Sequence, residues 1–493
     1  MNCLSFEEFK KILSENSGNI IPVYASFLAD MLTPVSAFLR LQSVSNHAFL
    51  LESVEGGEKT ARYSFLGCQP FCCVQYNGEI IEVEQNGKKE TIRGNIFTYM
   101  RNILDGYCGV HIAGLPRFTG GAVGYFGYET VALLENIPKN HPHEAGLPEA
   151  RFMFFDTILV FDHLTHEIYI IANVFLKDRE DDLISKYDRA IEKIHKIKKI
   201  LDAQLPVVPH PKTQIHAIHS NFSEVEFCTA VKKAKKYIEA GDIFQVVLSQ
   251  AFQKTIEVDP FSVYRALRVI NPSPYLYFLK MDDADIIGSS PELLVRVENG
   301  VVEVRPIAGT RPRGKNEEED RELERELRED EKEIAEHVML VDLGRNDVGR
   351  VCEYGSVEVT EFMVVEKYSH VMHLVSNVRG TLRADLKALD ALQACFPAGT
   401  VSGAPKIRAM QIIHELEPSA RGVYAGALGY LDFSGNLDTC IAIRTIVTRG
   451  NQAYFQAGAG IVADSVPERE YQETLNKASA LKAAIEFAER GLE

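Results

Sequence analysis

Near the C-terminus, the stretch TCIAIRTIVTRGNQAYFQAGAGIVADS sets a single arginine, Arg444, among apolar and small neighbours. Read as one continuous strand, it puts Cys440, Ala442, Arg444 and Ile446 on a shared face. A guanidinium on such a face needs an anion. The return strand ends in Gly458, Ala459 and Gly460, where small or missing side chains would let backbone N–H groups approach that anion closely. A core salt bridge to a protein carboxylate, with glycines that only form a bulge, would leave the same pattern. The next segment, SVPEREYQETLNKAS, predicts a helix from about Pro467 with Glu470, Glu473 and Lys477 at i, i+3 and i+7. Two carboxylates at that spacing repel unless a cation lies between them, and an all-oxygen set suits Mg2+ better than zinc. On the helix alone, a salt-bridged amphipathic surface is the simpler reading. Glu336, where an acidic helix turns apolar beside Ile334, Val338 and Met339, is a natural third carboxylate.

These groups need a scaffold. Residues about 20 to 175 read as short strands with turns, in alternating apolar patterns bounded by Asn-Gly and Gly-Gly that favour antiparallel pairing. A Lys-rich helix is expected from about Arg179 to Leu201, followed by the proline-broken AQLPVVPHPKTQ, so the chain divides into an N-terminal region 1–205, a linker 206–220 and a second unit 221–493. The second unit opens on a capping box, Ser223 with Glu226, and a helix to about Ala240. PIAGTRPRG, Pro306 to Gly314, reads as a small-residue turn after the strand-like VVEVR, exposing backbone and hydroxyl donors around a bare Ala308. NEEEDRELERELREDEKEIAEHVMLVDLG reads as one long helix with a solvated first half. The glycines of GGAVGYFGYE suit close backbone packing better than a nucleotide loop, and His141 and His143 read as surface residues.

Composition narrows the class. A net charge of -16 argues against nucleic-acid binding, and 46% hydrophobic with 25% charged residues is ordinary for a soluble enzyme. No signal peptide and no run of about 18 apolar residues is present, so a cytoplasmic protein without membrane contact is expected. The 9 cysteines lack paired C-x-x-C spacing and read as reduced, mostly buried thiols.

GDIFQVVLSQ, GSSPELLVR, PIAGTRPRG, AEHVMLVDLGRND, EKYSHVMHLVS, FPAGTVSGAPK, YAGALGY and QAGAGIVADSVPEREYQET, in that order, resemble the chorismate-utilising enzymes. The likeness is dense over about residues 220 to 480 and looser before them. It implies an α+β sandwich of large antiparallel sheets with helices packed outside. Chorismate carries two carboxylates, a ring hydroxyl and an enolpyruvyl ether. By resemblance, Mg2+ on Glu336, Glu470 and Glu473 takes the ring carboxylate, while Arg444, Tyr424 and the Gly458 to Gly460 amides take the enolpyruvyl carboxylate. Gly309, Thr310 and Thr400 line the pocket and Lys477 adds positive charge. Glu292 is the expected general acid for the departing hydroxyl. His373 would assist loss of pyruvate, although its spacing alone reads as a satisfied core histidine.

Relatives that attack the ring with a lysine carry it where this chain has Ala308, and those that activate water carry a lysine base where it has Gln245. The resemblance therefore implies direct attack by ammonia, giving anthranilate. Without a glutaminase motif, ammonia would come from a separate glutamine amidotransferase subunit, in a heterotetramer of two large and two small subunits. LLES and NPSPY resemble a feedback site for L-tryptophan built from Glu52, Ser53, Asn271, Pro274 and Tyr275. The alternatives are an aminodeoxychorismate synthase, disfavoured by Ala308, and a non-catalytic tryptophan sensor, disfavoured by the intact acidic set.

Overall fold

Strands such as Thr157–Asp162 are apolar at nearly every position because both of their faces are covered. Ile158 and Val160 enter one core cluster while Leu159 and Phe161 enter another, and in the strand Tyr275–Met281 Tyr277 and Leu279 are likewise separated from Leu276 and Phe278. Period-two alternation thus places one strand in two cores at once. The computed structural model describes residues 1–53, 62–139, 141–176, 182–206, 216–368 and 371–493.

Among these residues, one sheet of 13 strands lies over another of 12. Every pairing between named strands is antiparallel, as the sequence implied. Phe49, Phe65, Phe118, Met153, Tyr277 and Tyr430 fill the space between the sheets. The outer face of the first sheet is covered by helices including Pro260–Ile270 and Pro467–Glu489, and the outer side of the second by helices including Ile96–Asp105 and Ala388–Cys395. This is the expected α+β sandwich.

In both sheets the strands from before residue 205 form one contiguous block and the later strands another, joined where His47–Glu52 pairs with Tyr275–Met281 and Gly121–Phe126 pairs with Ala427–Asp432. Most of the expected linker lies outside the described residues. The capping box at Ser223 forms and its helix spans Glu224–Glu239.

Several local expectations change. The N-terminal region also holds the helices Pro34–Gln42 and Ile96–Asp105, capped by Thr33 and Asn95, which strand periodicity did not suggest. The single long acidic helix is two, Glu317–Glu329 and Glu331–Gly349. They break at Asp330, whose carboxylate accepts from the Lys332 and Glu333 amides and so caps the second. The first of them is not wholly solvated, because Leu327 is buried and Asp320 is gripped by Arg313 and Lys367. His141 and His143 are half-buried, with His141 Nε2 2.6 Å from His414 O. Six cysteines are buried and all nine are free thiols.

Candidate active site

Two segments pass from one sheet to the other, side by side. The chain leaves Ala284–Ser290 in the first sheet through Glu292 and enters Leu293–Glu298 in the second. It leaves Leu437–Ile441 in the second through Arg444 and enters Thr445–Arg449 in the first. The crossings are tied together: Ile441 N–H donates to Glu292 O (3.0 Å), Ser289 N–H to Arg444 O (3.1 Å) and Ser290 Oγ to Ile441 O (2.7 Å). Glu292 and Thr400 line a cavity beside the first crossing with Leu343, Gly344 and Ile441.

This geometry corrects the reading of Cys440, Ala442, Arg444 and Ile446 as one strand face. The strand breaks after Ile441, and Arg444 adopts φ 50°, a left-handed conformation that costs a non-glycine residue about 1–2 kcal/mol. Such strain persists where the surroundings over-determine it. Arg444 makes no ion pair among the described residues, so the core salt bridge allowed by the sequence is absent. Burial even holds its guanidinium below the usual range, opposed by nearby Glu292 and Tyr424.

Glu292 is pushed up by burial, while a hydrogen bond from Thr400 Oγ1 to its Oε2 (2.8 Å), Lys477 and Arg444 pull the other way. A carboxyl raised in this way can hold a proton and still lie beside donors. Tyr424 is buried and its hydroxyl is raised to about 12 by burial, so it remains a donor. The Ala425 amide, bonded to Ala442 O (2.9 Å), sets it beside the Arg444 crossing.

Gly458 and Gly460 lie in the strand Gln452–Ile461, opposite Ser249 and Val247. Those two residues send their N–H groups elsewhere, to Glu417 Oε1 (2.8 Å) and Ser402 O (2.9 Å). Directly opposed antiparallel residues exchange both bonds or neither, so the Gly458 and Gly460 amides face away from that partner strand. Lys477 Nζ reaches the same edge at Gly458 O (3.0 Å). A Cβ on Gly458 would lie 2.8 Å from Tyr424 Oη, and one on Gly460 2.7 Å from Gln245 Nε2, so both glycines make room for site side chains.

The expected turn at PIAGT is instead the strand Ile307–Pro312, paired with Val371–Thr381 and bulged at Gly309, φ 66°. The bulge aims the Gly309 carbonyl at His373 Nδ1 (2.8 Å), with Thr310 Oγ1 3.1 Å from the same nitrogen. A carbonyl needs a proton there, so Nε2 keeps its lone pair. Burial holds His373 below the usual imidazole range, and Arg444 lowers it further.

Two pairs of glutamates, Glu333 with Glu336 on one helix and Glu470 with Glu473 on another, stand near the Gly458–Gly460 edge through Gln245 and Lys477. Glu336 accepts from Gln245 Nε2 (3.3 Å) and Glu473 pairs with Lys477 (2.7 Å). Burial and then Glu473 raise Glu470; burial and then Glu336 raise Glu333. Glu333 was missed in the sequence, although it stands three residues before Glu336 as Glu470 does before Glu473. Mutually repelling carboxylates suit a hard cation chemically. No three of these or other ligand-type residues are close enough to bind one ion as they stand among the described residues.

Of the five regulatory candidates, Glu52, Ser53, Pro274 and Tyr275 line one cavity with Arg117, Arg296, Tyr430 and Asp438. Glu52 directs its carboxylate to Tyr264 (2.5 Å) and Arg268 (3.0 Å). Asn271 is not among the lining residues and donates to Ser289 Oγ (3.1 Å).

The family model for chorismate binding enzymes matches residues 47–483. The chain belongs to the chorismate-binding enzyme family. It is 55% identical to anthranilate synthase component 1 of Acetivibrio thermocellus over 95% of this chain and 96% of the relative, and 48% identical to that of Aquifex aeolicus over 99% of each. The crystal structure of anthranilate synthase component I from Streptococcus pneumoniae TIGR4 superposes with a TM-score of 0.77 at 39% identity, covering 92% of this chain and 98% of that one. The menaquinone-specific isochorismate synthase of Escherichia coli shares the fold at a TM-score of 0.72 and 19% identity, over 97% and 98% of the two chains. No helix among the described residues of this family member is long and apolar enough to cross a membrane.

Proposed function

We propose that the protein is the chorismate-converting subunit of an anthranilate synthase, a lyase that forms anthranilate, pyruvate and water from chorismate and ammonia in the cytoplasm. The observation that carries this is Arg444, a partly buried guanidinium without an ion pair among the described residues, near a carboxyl, Glu292, whose hold on its proton burial strengthens. Arg444, Tyr424 Oη and the outward amides of Gly458 and Gly460 bind the enolpyruvyl carboxylate. Glu292, oriented by Thr400, gives its proton to the ring hydroxyl, which departs as water as the ammonia nitrogen forms its bond to the ring. Neutral His373 Nε2 then takes the ring proton at the aminated carbon. The ring becomes aromatic as the enolpyruvyl group leaves and gains a proton to become pyruvate. Ala308 offers no amine to compete with ammonia and Gln245 no base to activate water, which disfavours the aminodeoxychorismate and isochorismate outcomes.

Glu333, Glu336, Glu470 and Glu473 would hold Mg2+, which when bound neutralises the ring carboxylate against this acidic wall. The cavity at Ser53, Pro274 and Tyr275 would take L-tryptophan, with an aromatic wall for the indole and the Arg117, Arg296 and Asp438 group for its charged end. Ammonia would come from a glutamine amidotransferase subunit, paired two to two with this chain. Incubating the isolated chain with chorismate, Mg2+ and an ammonium salt, and following anthranilate fluorescence, tests the reading. A chain that forms no aromatic amine would overturn it.

A further inference from the structure

We propose that Arg421 is the positioning residue that holds the acid and the carboxylate receptor in register, an inference resting on the function just described. Arg421 and Glu417 are each 4% exposed and form a buried ion pair. Such pairs are poor sources of stability, because apolar replacements of like volume often do as well, so their use is better sought in the geometry they fix. Arg421 Nε and Nη2 donate to the two Glu417 oxygens (2.9 and 2.6 Å). Its remaining donors go to two backbone carbonyls on different elements, Val401 O (2.6 Å) and Val247 O (2.8 Å).

Each contact stands one step behind a substrate-facing group. Val401 follows Thr400, whose hydroxyl holds Glu292. Val247 lies opposite Gly460. Glu417, oriented by Arg421, accepts from the amide and hydroxyl of Ser249 (2.8 Å each), which lies opposite Gly458. The guanidinium carbon lies 4.7 Å from the centroid of the Tyr128 ring and 5.6 Å from that of the Tyr424 ring. From the N-terminal half, Glu129 accepts the Arg421 and Gly422 amides (2.7 and 2.9 Å) and fixes the backbone that carries the arginine. One rigid planar fork therefore spaces the Thr400 turn, the Gly458–Gly460 edge and the Tyr424 ring. A lysine could keep the charge and its link to Glu417 but not this spacing.

Arg421→Lys in the full chain, assayed with chorismate and an ammonium salt and normalised to folded protein, is expected to lower kcat/KM about 100-fold and to raise KM for chorismate. It also moves the basic limb of kcat/KM to higher pH. The Thr400 hydrogen bond pulls the Glu292 acid down, so a slackened Thr400 turn lets it rise. Thr400→Val moves the limb in the same direction, and the double variant moves it no further. A general loss of structure would reduce the amount of active enzyme and leave limb and KM unchanged, and that result overturns the proposal. Should Arg421→Lys not fold, Glu417→Gln carries the test, with a smaller limb shift of the same sign expected and an unshifted limb overturning the proposal. A wild-type chain inert toward chorismate and ammonium overturns the functional reading and this inference together; an active wild type with unshifted variants overturns this inference alone.

Discussion

At the guanidinium end, Arg444, Glu292 and Tyr424 rise from backbone that is hydrogen-bonded into both sheets and braced from behind by a buried ion pair. At the carboxylate end, Glu333 and Glu336 project from the helix Glu331–Gly349 and Glu470 and Glu473 from Pro467–Glu489. The first end has its donors aimed before any ligand arrives. In the second, Gln245 and Lys477 stand in as partners for Glu336 and Glu473, Arg311 lies 3.7 Å from Glu333, and Glu333 and Glu470 are raised by burial first and by like charge after it. A rigid receptor is possible between sheets because backbone bonding on both sides fixes it, whereas on the function proposed above the helix-borne carboxylates would need a counter-charge to draw them together.

The difference can be broken most forcefully at the carboxylate end. Exhaustive chelation of divalent metal is expected to abolish anthranilate formation and leave the thermal midpoint nearly unchanged; an undiminished rate in excess EDTA would contradict it. Next in size, Glu292→Gln should lower kcat about 10³-fold with little change in chorismate KM, the scale of a lost general acid. Its wild-type pH profile sharpens the point. The acid works while protonated and burial raises it, so activity should persist above the ordinary glutamate value of about 4.3 and fall as pH rises through the raised one. His373 works while neutral and is depressed, so the acidic limb should lie below the ordinary imidazole value of about 6.5.

Arg444→Met should cost about 10²-fold in kcat/KM, the scale of one lost charged partner of a buried carboxylate. It should also move the acidic limb upward, because Arg444 no longer lowers His373; steady-state profiles from pH 5 to 9 would show it. Smallest of all, Asp330→Ala removes a helix cap and should destabilise the chain by about 1 kcal/mol by urea titration. It should raise the Mg2+ concentration for half activity, since the capped helix bears Glu333 and Glu336.

The residues proposed to carry the chemistry were singled out in the sequence chiefly through the family resemblance, since on spacing alone His373 reads as a core histidine and Glu470 and Glu473 as a salt-bridged helix surface. The capping box at Ser223 and the apolar runs that became doubly buried strands were legible directly, because they depend on neighbours a few residues apart. Local periodicity does not report where a strand changes sheets, so Arg444 was assigned a face that the crossing after Ile441 abolishes. It missed the break at Asp330, where side-chain capping competes with helix propensity, and left Glu333 hidden in a run of charge. Only the tertiary structure decided that Val247, Val401 and Glu417 meet one guanidinium, because burial of polar groups is satisfied by whichever partners the packed sheets bring near, however far apart they lie along the chain.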